Sequence, residues 1–125
     1  MEMSTTKLRD SLRELHRERR RLIRRLTGER ELAIGTVSVV YRKCGNPNCH
    51  CADGAGHRQT LFLFKDDEQG RRRCKLVRRA DESRMLHAGE RYRRFRQDLK
   101  RLRAIDQEEK RILMALAEIR AVHYE

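Results

Sequence analysis

A chain of 125 residues and 15.0 kDa has room for one hydrophobic core and excludes a second of useful size. With 38% hydrophobic residues, 5% aromatic residues, no Trp and 40% charged residues, that core must be thin, and something besides apolar burial is expected to help hold the fold. Lys and Arg number 31 against 19 Asp and Glu, and a formal charge of +12 is the electrostatic footprint of a polyanion binder.

The first ten residues carry Glu2, Lys7, Arg9 and Asp10 without an apolar stretch, which reads as no secretory signal. Leu32 to Tyr41, the longest uncharged apolar stretch, is about half the length of a membrane span. A cytoplasmic protein with no membrane partner is expected.

In chain order, Leu8, Leu12, Leu15, Leu22 and Leu26 form a heptad seam interrupted by Arg19, which predicts an amphipathic helix over 5–27. Ser4, Thr5 or Thr6 can cap its start, and Gly28 stands where a left-handed C-terminal cap is expected. Between Ile34 and Arg42 the β-branched Thr36, Val37, Val39 and Val40 predict a strand. A loop rich in Gly, Asn and Cys follows from Cys44 to His57, then an apolar run from Leu61 to Phe64 and a loosely alternating stretch from Arg71 to Val77. Asp66, Asp67, Glu68, Gln69 and Gly70 read as the turn between them, so 32–79 is expected to hold a metal loop and a small three-stranded antiparallel sheet.

From 81 to 124 there is no Pro and only one Gly, Gly89, which predicts a helix of roughly 40 residues, on the order of 60 Å long. Its seam reads Tyr92, Leu99, Asp106, Leu113 and Arg120 at one heptad position and Phe95, Leu102, Glu109, Leu116 and His123 at the other, broadened by Ile105, Ile112 and Ile119. The expected fold class is α+β in one domain over 1–125: two long helices in an antiparallel coiled-coil-like hairpin, with the small three-stranded antiparallel sheet inserted between them. In that register Arg19 lies opposite Asp106 and Leu8 near Leu116. Seams closing between two chains, in a homodimer, are the alternative.

Cys44, Cys49, Cys51 and His57 have the spacing C-x4-C-x-C-x5-H in a stretch reading Cys44-Gly45-Asn46-Pro47-Asn48-Cys49-His50-Cys51. In a reducing compartment clustered cysteines point to a metal rather than to disulfides. Four soft or borderline donors on one tight loop suit a closed, structural Zn2+ site. His50, Asp53 and Cys74 are alternatives to His57 as fourth ligand, and Cys74 reads more simply as a small buried strand residue.

The run from Gly35-Thr36-Val37 to Tyr41, the motif from Cys44 to Cys51, the Gly56-His57 pair and the hairpin together resemble a family of short bacterial proteins often found among mobile elements. The resemblance covers roughly residues 30 to 100. That family usually has Gly-Pro followed by aromatics after the Gly-His pair, whereas this chain has Arg58-Gln59-Thr60-Leu61. The resemblance implies zinc and a mobile-element setting, and no particular activity.

Arg9, Arg13, Arg17, Arg20 and Arg24 form a stripe along the first helix, where like charges at i and i+4 repel. Arg71, Arg72, Arg73, Lys75, Arg78 and Arg79 make a second patch, and the long helix contributes a third that includes Arg94 and Arg101. Few Asn, Gln or aromatic residues accompany them, so phosphate contact and shape recognition are expected rather than a base code. Tyr41, Phe62, Phe64 and Tyr92 are expected in the core. No phosphate-cradling glycine loop, nucleophile elbow or paired-carboxylate constellation is present, and His16, His87 and His123 stand alone. The sequence reads as a non-enzymatic accessory or regulatory protein with no catalytic residues, binding DNA in preference to RNA. The second reading is a module docking its helices onto a larger recombinase, transposase or nuclease.

Overall fold

A computed structural model describes residues 4–66 and 68–125. Helix α1 (Thr5–Leu26) is followed by strand β1 (Thr36–Arg42), a short 3-10 turn (His50–Asp53), β2 (His57–Lys65), β3 (Arg72–Leu76), a second 3-10 turn (Arg79–Asp81) and helix α2 (Glu82–Arg120). The class is α+β, with two long helices and one antiparallel sheet of order β1-β2-β3. The chain falls into two compact units, one from the segments up to Glu29 and from Phe95 onward, the other from Arg30–Arg94, so α2 contributes to both. Among the described residues no helix is long and apolar enough to cross a membrane.

In the first unit, α1 starts where Ser4 leaves the extended conformation and its hydroxyl accepts the Lys7 N–H at 3.2 Å. The other end differs from expectation. Gly28 has no left-handed backbone; instead the Thr27 N–H and hydroxyl both donate to the Ile23 carbonyl, at 3.0 and 2.7 Å. The Thr27 hydroxyl also reaches the Arg24 carbonyl at 3.5 Å and the Gly28 N–H donates to the Arg25 carbonyl at 3.3 Å, so the last carbonyls find donors without a left-handed glycine. Leu8 and Leu22 are buried, and Leu12, Leu15 and Leu26 are half-buried, as a heptad seam requires.

One position of the α2 seam, with Leu102, Glu109 and Leu116, stands as expected, while the other is taken by Ile105 and Ile112, expected only to broaden it, in place of Asp106 and Leu113. Ile105 and Ile112 are 0% and 1% exposed, whereas Leu113 is 54% exposed and Asp106 lies outside the core. The alternating spacing of three and four runs through Leu102, Ile105, Glu109, Ile112 and Leu116. A position that offers two isoleucines buries more apolar area than one interrupted by an aspartate, so the helix turns that face inward. Ile119, 54% exposed, takes no part. Arg19 donates to both acidic residues at the break, Asp106 and Glu109, the latter at 3.1–3.2 Å. Arg25 donates to both oxygens of Asp98, at 3.1 and 2.8 Å, and Arg101 donates to both oxygens of Glu18.

In the second unit, β2 is longer than expected because all of β1 pairs with it, from Thr36 opposite Leu63 to Arg42 opposite His57. β3 pairs on the other side, with Leu61 opposite Leu76 and Phe64 opposite Arg73. Of the expected turn over 66–70, Asp67 lies outside the described residues. Around it the Asp66 N–H donates to the Arg71 carbonyl at 2.8 Å, and Gly70 adopts φ +65°, a left-handed conformation that favours glycine.

Strand alternation places Val37, Val39, Thr60, Phe62 and Phe64 on one face. The first turns of α2 pack against it: a Cβ at Gly89 would come within 2.9 Å of Val37, so the helix approaches β1 where it has no side chain. The Ala33 N–H donates to the Ala88 carbonyl at 3.1 Å, Arg91 donates to the Glu31 carbonyl at 2.8 Å, and Arg58 pairs with Glu82. Two sequence expectations fail on this sheet. Tyr41 is 58% exposed at the end of β1, and Cys74 is exposed, as is every residue of β3.

Candidate metal centre and basic surface

The loop leaving β1 is shaped by its own backbone. The Asn46 side-chain oxygen accepts the Asn48 N–H at 2.9 Å, and its carbonyl accepts the Cys49 N–H at 3.1 Å. The 3-10 turn then presents Cys51 inward, where it is 4% exposed, and the Gly54 N–H closes on the Cys51 carbonyl at 3.2 Å. Gly56 has φ +95°, and a Cβ there would lie 2.4 Å from the carbonyl carbon of Arg42. Only glycine lets the chain return over the end of β1, and that return delivers His57 into register opposite Arg42.

The side-chain donor atoms of Cys44, Cys49, Cys51 and His57 all lie within 4.8 Å of one another. Cys44 Sγ is 3.4 Å from Cys51 Sγ, and Cys49 Sγ is 3.4 Å from His57 Nε2. Tetrahedral zinc with its usual bond lengths would separate neighbouring sulfur and nitrogen ligands by about 3.5–3.8 Å, close to these two separations, so the group can gather around a single ion. All four cysteines of the chain are free thiols.

The electrostatics of the cluster are divided. Hydrogen bonds from the Asn46 backbone, and then from Cys51, His57 and Cys49, bring the Cys44 thiol down to about 6. The Cys44 backbone N–H pulls Cys51 the same way, but burial and the neighbouring Cys49 and Cys44 thiols outweigh it and hold Cys51 above the ordinary thiol range. Thiols this close obstruct one another's ionisation, and a cation among them removes the obstruction.

Of the alternative fourth ligands, His50 has its ring edge-on to that of His57 at 6.0 Å between centroids, and neither it nor Asp53 nor Cys74 joins the donor group. The metal cluster therefore comprises the four residues whose sequence spacing first singled them out.

The expected basic contacts separate into two populations. Arg13 pairs with Asp10 at 3.1 Å, Arg17 with Glu14, Arg73 with Asp66 at 3.0 Å, Arg94 with Glu90 at 3.5 Å and Arg101 with Glu18. The Lys75 ammonium lies over the Phe64 ring, 5.6 Å from its centroid. Arg20 and Arg24 on α1, and Arg71, Arg72, Arg78 and Arg79 around β3, are all exposed, and none has an acidic partner among the described residues. Spacing alone did not separate these populations, because the pairing of Arg73 depends on the turn that returns it to Asp66, and that of Arg101 on Glu18, far away in sequence.

Phe62 and Phe64, expected in the core, are only half-buried. Their rings stack at 4.9 Å and 21° on the wall of an open pocket in the second unit. Two Phe at i and i+2 of a strand were the available signal, since that spacing puts both on one face.

A family model described as Domain of unknown function (DUF6788) matches residues 12–86, which take in most of α1, the whole sheet and the loop with the Cys/His cluster. No curated protein and no solved structure matches the chain.

Proposed function

We propose that this chain, which belongs to the DUF6788 family, is a non-enzymatic protein that binds nucleic acid through unpaired arginines and is held together by a structural zinc ion. The observation that carries the reading is the set of exposed arginines without acidic partners, Arg20, Arg24, Arg71, Arg72, Arg78 and Arg79. A chain with 19 carboxylates could have neutralised these charges within each unit, and leaving them open costs self-repulsion that phosphates relieve. The second unit concentrates this charge, with 15 Lys and Arg against 8 Asp and Glu between Arg30 and Arg94.

Zinc is the metal that three thiolates and an imidazole favour, and four protein ligands leave it no open position for catalysis. Cys44, Cys49, Cys51 and His57 would hold it, and its contribution is to close the loop between β1 and β2. DNA is the first ligand to test. The resemblance to proteins found among mobile elements supports an accessory role, beside a larger recombinase, transposase or nuclease.

The test is fluorescence anisotropy of labelled duplex and single-stranded DNA with the full chain at low salt. Binding to either, weakening steeply as salt rises, is the expected result. Absence of binding to both ends the nucleic-acid reading and leaves the docking module.

The helices of the first unit support an antiparallel, coiled-coil-like hairpin. Their partners run in opposite order, Arg19 with Asp106 and Glu109 and the later Arg25 with the earlier Asp98. Cysteines placed at Leu8 and Leu116, with the metal ligands intact, should crosslink within one chain; exclusively intermolecular product would show that the seams belong to a dimer.

A further inference from the structure

The second unit contains a pocket of about 430 Å³ between the sheet and the start of α2, within the range of small-ligand sites. Its apolar walls include Phe62, Phe64, Ile34 and Met85. Lys65, exposed and without an acidic partner among the described residues, also lines it. So do Glu31 and Arg84, which are tied to each other by two hydrogen bonds of 2.7 and 2.8 Å. Lys75 sits over Phe64 from the neighbouring strand.

We infer that this pocket receives a single unpaired nucleobase of a bound nucleic acid, with its phosphate held by Lys65 and Lys75. The inference rests on the nucleic-acid reading above and adds the form of the ligand. Two rings 4.9 Å apart and 21° from parallel present flat apolar surface, which suits a planar group better than a branched side chain. Lys65 on the pocket's exposed edge and Lys75 over the Phe64 ring supply positive charge near that planar group, and a nucleotide joins a planar group to an anion covalently. The Glu31–Arg84 pair adds acceptor and donor edges of the kind that meet a base edge. A base inside a duplex is already stacked and cannot enter, so the pocket selects single strands or locally opened ones. An apolar side chain from a protein partner would use the rings and leave Lys65 unanswered.

The test measures affinity of the full chain for a labelled thymidine single strand and for the matching duplex. Wild type is compared with Phe64→Leu, which keeps an apolar side chain, and with Lys65→Gln at the exposed edge. Preference for the single strand is expected, and loss of the ring should weaken that binding by about 5- to 150-fold while duplex binding changes little. In a parallel titration followed at the Met85 methyl resonance, adenosine monophosphate should move the signal and ribose 5-phosphate should not.

Equal affinity for both forms, unchanged by Phe64→Leu, overturns the pocket while leaving the arginine reading intact. A Met85 signal that moves with N-acetyl-leucinamide and not with adenosine monophosphate overturns it in favour of a protein segment. Failure to bind either nucleic acid overturns both readings.

Discussion

Removing the metal should unfold the loop from Cys44 to His57 and loosen the sheet, while most of the helical signal survives. A three-stranded sheet is marginal on its own, and here its edge strand β3 is exposed at every residue. Among the buried apolar residues, the second unit contributes Ala33, Cys51, Leu61 and Ala88, a short inventory for a segment of this length. A structural zinc contributes an apparent ~10–16 kcal/mol in small domains at neutral pH, more than such a core supplies. Chelation, or Cys49→Ser, should therefore abolish amide-exchange protection along β1 and β2. The 22 residues of α1 and the 39 of α2 should keep most of the circular dichroism at helical wavelengths. Acid should act in the same direction, since three thiolates must take up protons before the ion leaves. Stoichiometric metal missing from protein purified under reducing conditions, or Cys49→Ser with full protection, would rule the centre out.

The second large effect concerns which arginines matter. Replacing Arg20, Arg24, Arg72 and Arg78 by Gln removes four positive charges, and so does replacing Arg13, Arg17, Arg94 and Arg101. The first set has no acidic partners among the described residues, whereas each member of the second is engaged by a carboxylate. If the unpaired arginines contact phosphates, the first set should lower the slope of log affinity against log salt by about 3.6 for a duplex, at roughly 0.9 per contact. Its loss of affinity at low salt should be on the order of a hundredfold or more. The second set should leave the slope nearly unchanged. Identical losses from both sets would mean that affinity follows net charge alone, which contradicts a defined contact surface.

The metal ligands were legible because their spacing is short and their chemistry specific: Cys44, Cys49, Cys51 and His57 meet in space much as they lie in sequence. The elements were legible for a related reason, since apolar periods of 3.5 and 2 report directly on helix and strand. What failed depends on competition that a single segment does not display. Two adjacent heptad positions on α2 were both apolar enough to serve as a seam, and Ile105 and Ile112 took the interior only against a partner surface. Gly28 gave way to the Thr27 hydroxyl as terminator of α1. Cys74 and Tyr41 depended on which strand forms an edge and where β1 ends, and the two Phe on whether α2 seals the sheet or leaves a gap. Those are facts of tertiary arrangement.

The division of the chain also sets an order of assembly. The unit of Arg30–Arg94 is continuous in sequence, whereas the helical unit joins residues before Glu29 to residues after Phe95. During synthesis the segment with the candidate metal cluster is complete before the distal half of α2 exists, so if the cluster takes an ion, the sheet can capture it while α1 still lacks a partner. Once that middle stretch is compact, the segment separating the two helical parts behaves as a much shorter tether, and the entropic cost of bringing them together falls. If the proposed ion is required for that compaction, metal supply during translation would govern how quickly the two helical parts find each other.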